Sequence, residues 1–257
     1  MLLCIDIGNT NITLGLYHGD DLVAHWRLST DYHKMPDEYG VMLMTLLSHR
    51  GYSVTDIHGV SMASVVPPVT DLFREVLRAY VKVGPLIVGA GVRTGVAIRY
   101  ESPRDVGADR VVNAAATYHF YGGPACVVDY GTGTTFDAVS ATGEYLGGAI
   151  APGIRIAAEA LFQRTAKLPP IDFQRPHKAI GTNTMDAIRS GMLYGYVGLT
   201  EGMIARFRDE LGPDMRVIAT GGLAEVIARE TNLIEVVDPW LTLKGLRLIY
   251  EMNRGEG

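Results

Sequence analysis

The sequence predicts an α/β protein made of two similarly built domains. The first observation is an internal repeat, because the plan of residues 2–13 returns in residues 125–136, about half a chain later. The second is that runs with strand periodicity alternate with runs of helical periodicity. The third is a composition of 47% hydrophobic and 20% charged residues, which is typical of folded domains. We place the domains at 1–118 and 119–257.

Charge and hydropathy exclude several classes of function. The chain carries 23 Lys+Arg against 28 Asp+Glu, a formal net charge of -5, and no basic cluster. We therefore expect no nucleic-acid or membrane partner, since both need basic or long apolar surfaces. The start of the chain lacks the basic region of a secretory signal. Cys4 and Cys126 lie in apolar runs and are expected in the core, which fits a reducing cytoplasm.

The repeat itself consists of two β-hairpins with a carboxylate at the turn. In the first, an apolar strand reaches Asp6 and Gly8, and a polar turn leads into a second strand. In the second, an apolar strand reaches Asp129 and Gly131 before a threonine-rich turn. Each copy therefore places one aspartate at the end of a buried strand.

The other elements follow in order along the chain. Apolar residues at helical spacing predict helices over 36–51, 67–83, 108–120, 154–165, 184–211 and 223–230. Strands are predicted over 60–66, where two prolines follow, and over 216–219. The segment 167–177, with three prolines, is expected to be an ordered loop.

The two turns have the composition of phosphate-binding sites. Glycine lets backbone N–H groups approach phosphate oxygens closely, and neighbouring hydroxyls add donors. The turns read Gly8-Asn9-Thr10-Asn11 and Gly131-Thr132-Gly133-Thr134. No Gly-Lys pair and no GxGxxG pattern occurs, which excludes a Walker-type loop and a dinucleotide fingerprint. Ordinary hairpin turns are the alternative interpretation.

These motifs resemble those of the actin, sugar-kinase and heat-shock ATPase superfamily. The resemblance rests on Asp6-x-Gly8, on Asp129-x-Gly131 and on Gly221-Gly222 after a later strand. Within that superfamily, Gly107-Ala108-Asp109-Arg110, preceded by Tyr100, resembles the type III pantothenate kinases. The resemblance implies two actin-like, ribonuclease H-like domains related by duplication, with ATP in the cleft between them.

The resemblance also implies an activity and its cofactors. Members transfer the γ-phosphoryl group of ATP to pantothenate, in coenzyme A biosynthesis, with Mg²⁺ and a monovalent cation, K⁺ or NH₄⁺. Asp129 corresponds to the ligand of the monovalent cation, and Asp6 to a residue near Mg²⁺. The positions implied for ATP binding are Asp6, Gly8, Asn9, Thr10, Asn11, Thr13, Thr132, Gly221 and Gly222.

For the acceptor, the resemblance makes Asp109 the general base. As it lies in the first turn of a predicted helix, we expect the helix dipole to keep its pKa low; the alternative is a plain helix-end charge. The pantothenate-binding positions implied are Tyr100, Gly107, Ala108, Asp109, Arg110 and Thr184.

The resemblance further implies a homodimer in which Thr184 of one subunit reaches the pantothenate site of the other. An apolar stripe on the predicted helix 184–211 supplies a core or an interface, and it comprises Met185, Ile188, Met192, Tyr196, Leu199, Met203 and Phe207. Alternatively, Thr184 caps that helix.

Two other functions compete with a pantothenate kinase. One is a kinase of the same fold that acts on a sugar or another small hydroxyl acceptor. The other is a non-catalytic accessory protein that uses the fold for binding. Retention of all three aspartates, Asp6, Asp109 and Asp129, argues against the second alternative.

Overall fold

The computed structural model describes residues 1–163 and 173–254, and its backbone forms two compact units. The first unit comprises Met1–His119 and the segment that begins at Leu241, and the second comprises Phe120–Trp240. The predicted boundary between 118 and 119 adjoins the break between the units. The prediction differs in giving the C-terminal segment to the second domain.

The first unit contains a five-stranded sheet with helices packed on it. Its elements are β1 (Leu2–Ile7), β2 (Asn11–His18), β3 (Asp21–Ser29), α1 (Pro36–Ser48), β4 (Gly59–Ser64), α2 (Pro67–Val76), β5 (Pro85–Ile87), β6 (Ala97–Ile98), α3 (Ala108–Tyr121) and, after the second unit, the helix Leu241–Asn253. The strand order is β3-β2-β1-β4-β5.

The second unit repeats this architecture. Its elements are β7 (Ala125–Tyr130), β8 (Gly133–Val139), β9 (Glu144–Pro152), α4 (Ile154–Gln163), α5 (Thr184–Leu211), β10 (Arg216–Thr220), α6 (Ala224–Ala228) and β11 (Val236–Val237). Within this unit the strands follow the order β9-β8-β7-β10-β11. The C-terminal helix Leu241–Asn253 is α7.

The two sheets share one topology, which confirms the predicted duplication and the actin-like fold class. In each unit three strands pair antiparallel, β1 with β2 and β2 with β3 in the first, β7 with β8 and β8 with β9 in the second. Two parallel strands then extend the sheet beside β1 and beside β7. The strand ends that carry Asp6 and Asp129 therefore occupy equivalent places.

Helix α7 packs in the first unit because its buried face fits the sheet there. The Ser61 hydroxyl of β4 donates to the Leu246 carbonyl at 2.9 Å. A Cβ at Gly59 would lie 2.2 Å from the Tyr250 hydroxyl oxygen, so the Tyr250 side chain lies directly against the backbone of β4. The contacts join residues far apart in sequence, which periodicity alone does not report.

Several helices end at residues other than those predicted. Helix α5 has the predicted bounds, whereas α1 ends at Ser48 and α2 ends at Val76, where a π-helical turn over Leu77–Val81 follows. Helix α4 is described to Gln163, and residues 164–165 of its predicted span lie outside the described residues. So does most of the loop predicted over 167–177.

Each unit has its own core. Cys4 lies in the buried strand β1 and Cys126 in the buried strand β7, both fully excluded from solvent and free of disulfides. Burial raises the pKa of both thiols far above the ordinary value. The two cysteines are core residues, as predicted.

Candidate active site

The first phosphate turn lies at the end of β1. Asp6 pairs with Thr13 across the β1–β2 hairpin, so both side chains lie beside the turn. The Gly8 N–H donates to the Asn11 carbonyl at 3.0 Å and closes the turn. Asn9 at its tip is exposed, and among the described residues nothing accepts a hydrogen bond from it. Asn9 therefore has donors available for an added ligand such as a phosphate.

Thr30 holds this turn from outside, and the sequence analysis did not identify it. Its hydroxyl donates to the Gly8 carbonyl at 2.6 Å, and its N–H donates to the Thr10 carbonyl at 2.9 Å. The partners are twenty or more residues apart in sequence. Only the pairing of β2 with β3 brings them together.

The acceptor segment begins α3. The Gly107 carbonyl accepts hydrogen bonds from the N–H groups of Arg110, at 3.1 Å, and Val111, at 3.2 Å. The Arg110 N–H also donates to Asp109 Oδ1 at 2.8 Å. These bonds fix the Asp109 carboxylate against the first turn of the helix.

The prediction of a low pKa for Asp109 is wrong. Burial raises the pKa of Asp109 above its ordinary value and outweighs the Arg110 N–H and guanidinium, which lower it. The helix dipole was the basis of the prediction, but desolvation of a carboxylate opposes it. A raised pKa brings a carboxylate nearer to the range of an effective general base.

Gly107 is required by the position of the Asp109 carboxylate. A Cβ on Gly107 would lie 2.5 Å from Asp109 Oδ1 and 3.4 Å from Val65 Cγ1. Val65 follows β4, and its N–H donates to the Ile7 carbonyl at 3.1 Å. Val65 therefore links the acceptor segment to the strand end that carries Asp6. This role of Val65 was not predicted, because an apolar residue after a strand carries no specific signal in the sequence.

Other acceptor-side positions lie around this segment. Tyr100 is 39% exposed and precedes the 3₁₀ turn Pro103–Asp105. Ala108 and Arg110 are half-buried in the first turn of α3. An exposed aromatic ring and a guanidinium in one segment suit a ligand that has apolar and anionic parts.

The second phosphate turn lies at the end of β7. Asp129 pairs with Thr135 on β8 and with Thr220 on β10, which repeats the pairing of Asp6 with Thr13. The carbonyl of Thr132 accepts from the Gly153 N–H at 3.1 Å. The second turn is thus tied to the end of β9.

Gly221 lies directly against Asp129. It has a φ of +91°, and a Cβ there would stand 2.5 Å from Asp129 Oδ1 and 2.7 Å from the Tyr130 backbone. Glycine is needed for both the conformation and the close approach. Gly222 follows and is exposed. The structure therefore brings together Asp129 and the Gly-Gly pair, which the sequence placed in separate motifs.

Thr184 does not cap α5. The cap is Asn183, whose side chain accepts from the Asp186 N–H at 2.9 Å, so the capping alternative for Thr184 is wrong. Thr184 is the first helical residue and is exposed. The buried face of α5 is also not the predicted stripe, whose members are half-buried, but the adjacent row Ser190, Leu193, Val197, Thr200 and Ile204.

The described residues contain no cation site that is built from side chains alone. Over 1–163 and 173–254, no group of three or more His, Cys, Asp or Glu side chains is placed to hold a metal ion. Asp6 and Asp129 are each single carboxylates beside a turn. Such a site fits a cation that takes its remaining ligands from backbone, water and phosphate oxygens, as Mg²⁺ usually does with nucleotides.

Two comparisons of the sequence with known proteins indicate the same family. The profile of the family "Type III pantothenate kinase" matches residues 2–206. A type III pantothenate kinase from Moorella thermoacetica is 53% identical over 253 residues, covering 98% of this chain and 100% of that protein.

Solved structures share the fold. One described as a Baf family transcriptional activator from Campylobacter jejuni has a TM-score of 0.64 at 19% identity and covers 98% of both chains. The activator of 2-hydroxyisocaproyl-CoA dehydratase from Clostridium difficile, with bound ADPNP, has a TM-score of 0.54 at 13% identity, covering 100% of this chain and 98% of that chain. At such identities these likenesses show the fold alone.

Proposed function

Because the chain belongs to the type III pantothenate kinase family and phosphorylates pantothenate in coenzyme A biosynthesis, we propose that Asp109 is the base that receives the hydroxyl proton. Phosphoryl transfer depends mainly on positioning and charge neutralisation. Besides these, the enzyme needs a carboxylate held in place beside the hydroxyl of the acceptor, where it can take the proton. The raised pKa of Asp109 favours that role over a plain helix-end charge.

The main support for this proposal is that Val65 connects the strand end that carries Asp6 with the segment that carries Asp109. Val65 bonds to the Ile7 carbonyl next to Asp6 and lies beside Gly107, whose Cα in turn faces the Asp109 carboxylate. A phosphate turn and a desolvated carboxylate thus lie at one end of the first sheet. A phosphoryl donor at the turn and an acceptor hydroxyl at Asp109 would be neighbours in that arrangement.

ATP would be held by the two turns, each described in its own unit. We assign phosphate contacts to the N–H groups and side chains of residues 8–11 with Thr13, and to Thr132 of the second turn. We assign the nucleoside to the backbone at Gly221 and Gly222, of which Gly222 is exposed. Asp6 would hold Mg²⁺ directly or through water, and the ion would neutralise phosphate charge during transfer.

Asp129 would hold the monovalent cation. Its carboxylate lies close to the backbone at Gly221, where a Cβ would stand 2.5 Å from Oδ1, and at ordinary contact distance from a Cβ placed on Gly131. Backbone oxygens of these glycine turns would supply further ligands. A large, weakly hydrated ion such as K⁺ or NH₄⁺ suits one carboxylate with carbonyl and phosphate oxygens. The ion supplies positive charge near the phosphates.

For pantothenate, we assign the carboxylate or carbonyl oxygens to Arg110 and the dimethyl portion to Tyr100. Arginine offers a planar fork of donors, and a tyrosine ring combines apolar area with a polar tip. Ala108 leaves room next to Asp109.

The free thiols Cys4 and Cys126 support a reducing compartment, and we place the enzyme in the cytoplasm on that basis.

We also propose a homodimer in which Thr184 completes the partner's acceptor site. The second unit exposes large apolar side chains, with Ile150 68%, Ile156 43% and Ile180 83% exposed, and Thr184 is exposed four residues after Ile180. A second copy would cover such a surface through two equivalent contacts.

Subunit mixing tests the dimer. Asp109→Asn and Thr184→Trp proteins, each nearly inactive, are unfolded and refolded together. If each site takes Asp109 and Thr184 from different subunits, activity recovers to about a quarter of wild type, since about half the dimers are mixed and each has one intact site. No recovery, with mixed dimers confirmed by tagged pull-down, contradicts shared sites.

The activity is tested by ADP release from ATP and Mg²⁺ with pantothenate, against a panel of sugars and hydroxy acids. Pantothenate should be preferred by kcat/KM. Preference for another acceptor would favour a different kinase of the same fold, and no turnover with any acceptor would favour a binding protein.

A further inference from the structure

Thr30 bonds to both sides of the first phosphate turn. It follows the last residue of β3 and offers two donors to two carbonyls, its hydroxyl to Gly8 and its N–H to Thr10. The third bond in the turn runs from the Gly8 N–H to the Asn11 carbonyl. The carbonyls of Gly8 and Thr10 are thereby held toward β3. Asn9, between them, is exposed and makes no hydrogen bond within the described residues.

Thr30 is itself fixed by a buried tyrosine of α1. Tyr39 is 1% exposed, and its hydroxyl lies 3.2 Å from the Ser29 carbonyl and 3.1 Å from the Asp31 carbonyl. The Asp31 N–H donates to the same hydroxyl at 2.9 Å. Tyr39 therefore contacts the backbone on both sides of Thr30. Its ring packs on Phe73 with centroids 5.1 Å apart, which ties the arrangement to the core.

We propose that Thr30 is a positioning residue for nucleotide binding, which acts by holding the carbonyls of Gly8 and Thr10 away from the phosphates. Carbonyl oxygens that turned toward a phosphate would repel it, whereas amide N–H groups attract it. Thr30 does not touch the nucleotide in this account. The inference rests on the proposed role of residues 8–11 in binding phosphate.

The test is Thr30→Val, which keeps the shape and removes the hydroxyl. We expect the KM for ATP and the Kd for ADP, measured by calorimetry, to rise about fivefold, the scale of one lost hydrogen bond. The KM for pantothenate should stay within about twofold of wild type. Thr30→Ser keeps the donor and should restore both nucleotide values.

Thr45→Val is the matched control. The Thr45 hydroxyl also donates to a backbone carbonyl, that of Val41 at 2.8 Å, but it does so on the exposed side of α1 and should leave nucleotide binding unchanged. Tyr39→Phe removes the hydroxyl that contacts the backbone on both sides of Thr30, while the ring still packs on Phe73. It should raise the KM for ATP in the same direction, which keeps the test available if Thr30→Val lowers the melting temperature.

Asn9→Asp tests separately whether the turn of residues 8–11 binds phosphate, on which the role of Thr30 depends. Asn9 is exposed, so an added charge should disturb phosphate binding without disturbing the fold. If Asn9→Asp leaves the KM for ATP unchanged, the turn does not bind phosphate and the premise is wrong. If Asn9→Asp weakens ATP but Thr30→Val leaves KM and Kd at wild-type values, the role of Thr30 is overturned.

Discussion

The contact between Gly107 and Asp109 gives the sharpest prediction for catalysis. In Gly107→Ala the new Cβ would stand 2.5 Å from Asp109 Oδ1, and an ordinary contact needs 3.4 Å, so the carboxylate must retreat by about 0.9 Å. The bond from the Arg110 N–H to Oδ1, now 2.8 Å, would be broken or bent. The substitution displaces the carboxylate without removing it.

A displacement of about 1 Å in a catalytic group costs about 10²-fold in rate, or about 2.7 kcal/mol in the barrier. We therefore expect kcat for pantothenate phosphorylation to fall by about 10², with the KM for ATP unchanged. The loss of stability should be about 1 kcal/mol, because alanine is a poorer residue than glycine just before a helix. Coupled ADP release and thermal unfolding measure the two effects.

The matched control is Gly89→Ala in the same unit, where a Cβ would meet nothing within 4 Å. This variant should keep wild-type kcat. If Gly107→Ala keeps wild-type kcat as well, the position of the Asp109 carboxylate does not limit the reaction and the reasoning is refuted.

The remaining predictions concern pH, cations and thiols. Because burial raises the pKa of Asp109, the acid limb of kcat against pH should have its midpoint above 3.8, and in Asp109→Asn that limb should disappear. The folded state binds the Asp109 proton more tightly than the unfolded state, so this group lowers stability as pH rises from 3.8 through the folded pKa. Asp109→Asn should thus raise the melting temperature at pH 7, and an equal or lower value there contradicts the burial argument. Turnover should need K⁺ or NH₄⁺ and be poor in Na⁺ or Li⁺, and Asp129→Asn should remove the difference; equal rates in all four salts contradict the cation role. Cys4 and Cys126 should resist Ellman's reagent until the protein unfolds, whereas rapid modification of the native protein would contradict their burial.

Much of the fold was predictable where local signals agree. The spacing of apolar residues gave α5 its bounds, and the end of each repeated strand was marked by Asp and Gly. Strand β3, strand β9 and helix α7 were missed. Strands β3 and β9 pair with the strands that precede them, β2 and β8, but are only partly buried, so their own apolar pattern is weak. Helix α7 packs on strands far away in sequence, and that contact leaves no local signal.

The candidate site was predictable only in part for the same reason. The motif glycines and aspartates were named from residue type, but Thr30 and Val65 act through contacts with chain segments far away in sequence. The hydroxyl of Tyr39 reaches the backbone beside Thr30 across the loop that precedes α1, a contact that residue type does not reveal. The direction of the Asp109 pKa was mistaken because a helix start is visible in sequence and burial is not. Thr184 was likewise weighed as a cap when its neighbour Asn183 holds that position.

The proposal that Asp109 receives the proton of the pantothenate hydroxyl can be tested on the chemical step itself. The most direct measurement is a single-turnover assay of phosphoryl transfer by Asp109→Asn, with the affinities for a non-hydrolysable ATP analogue and for pantothenate measured on the same protein. We expect affinities within about twofold of wild type and a transfer rate lower by about 10² or more. A transfer rate close to that of wild type, with both ligands bound, would contradict it.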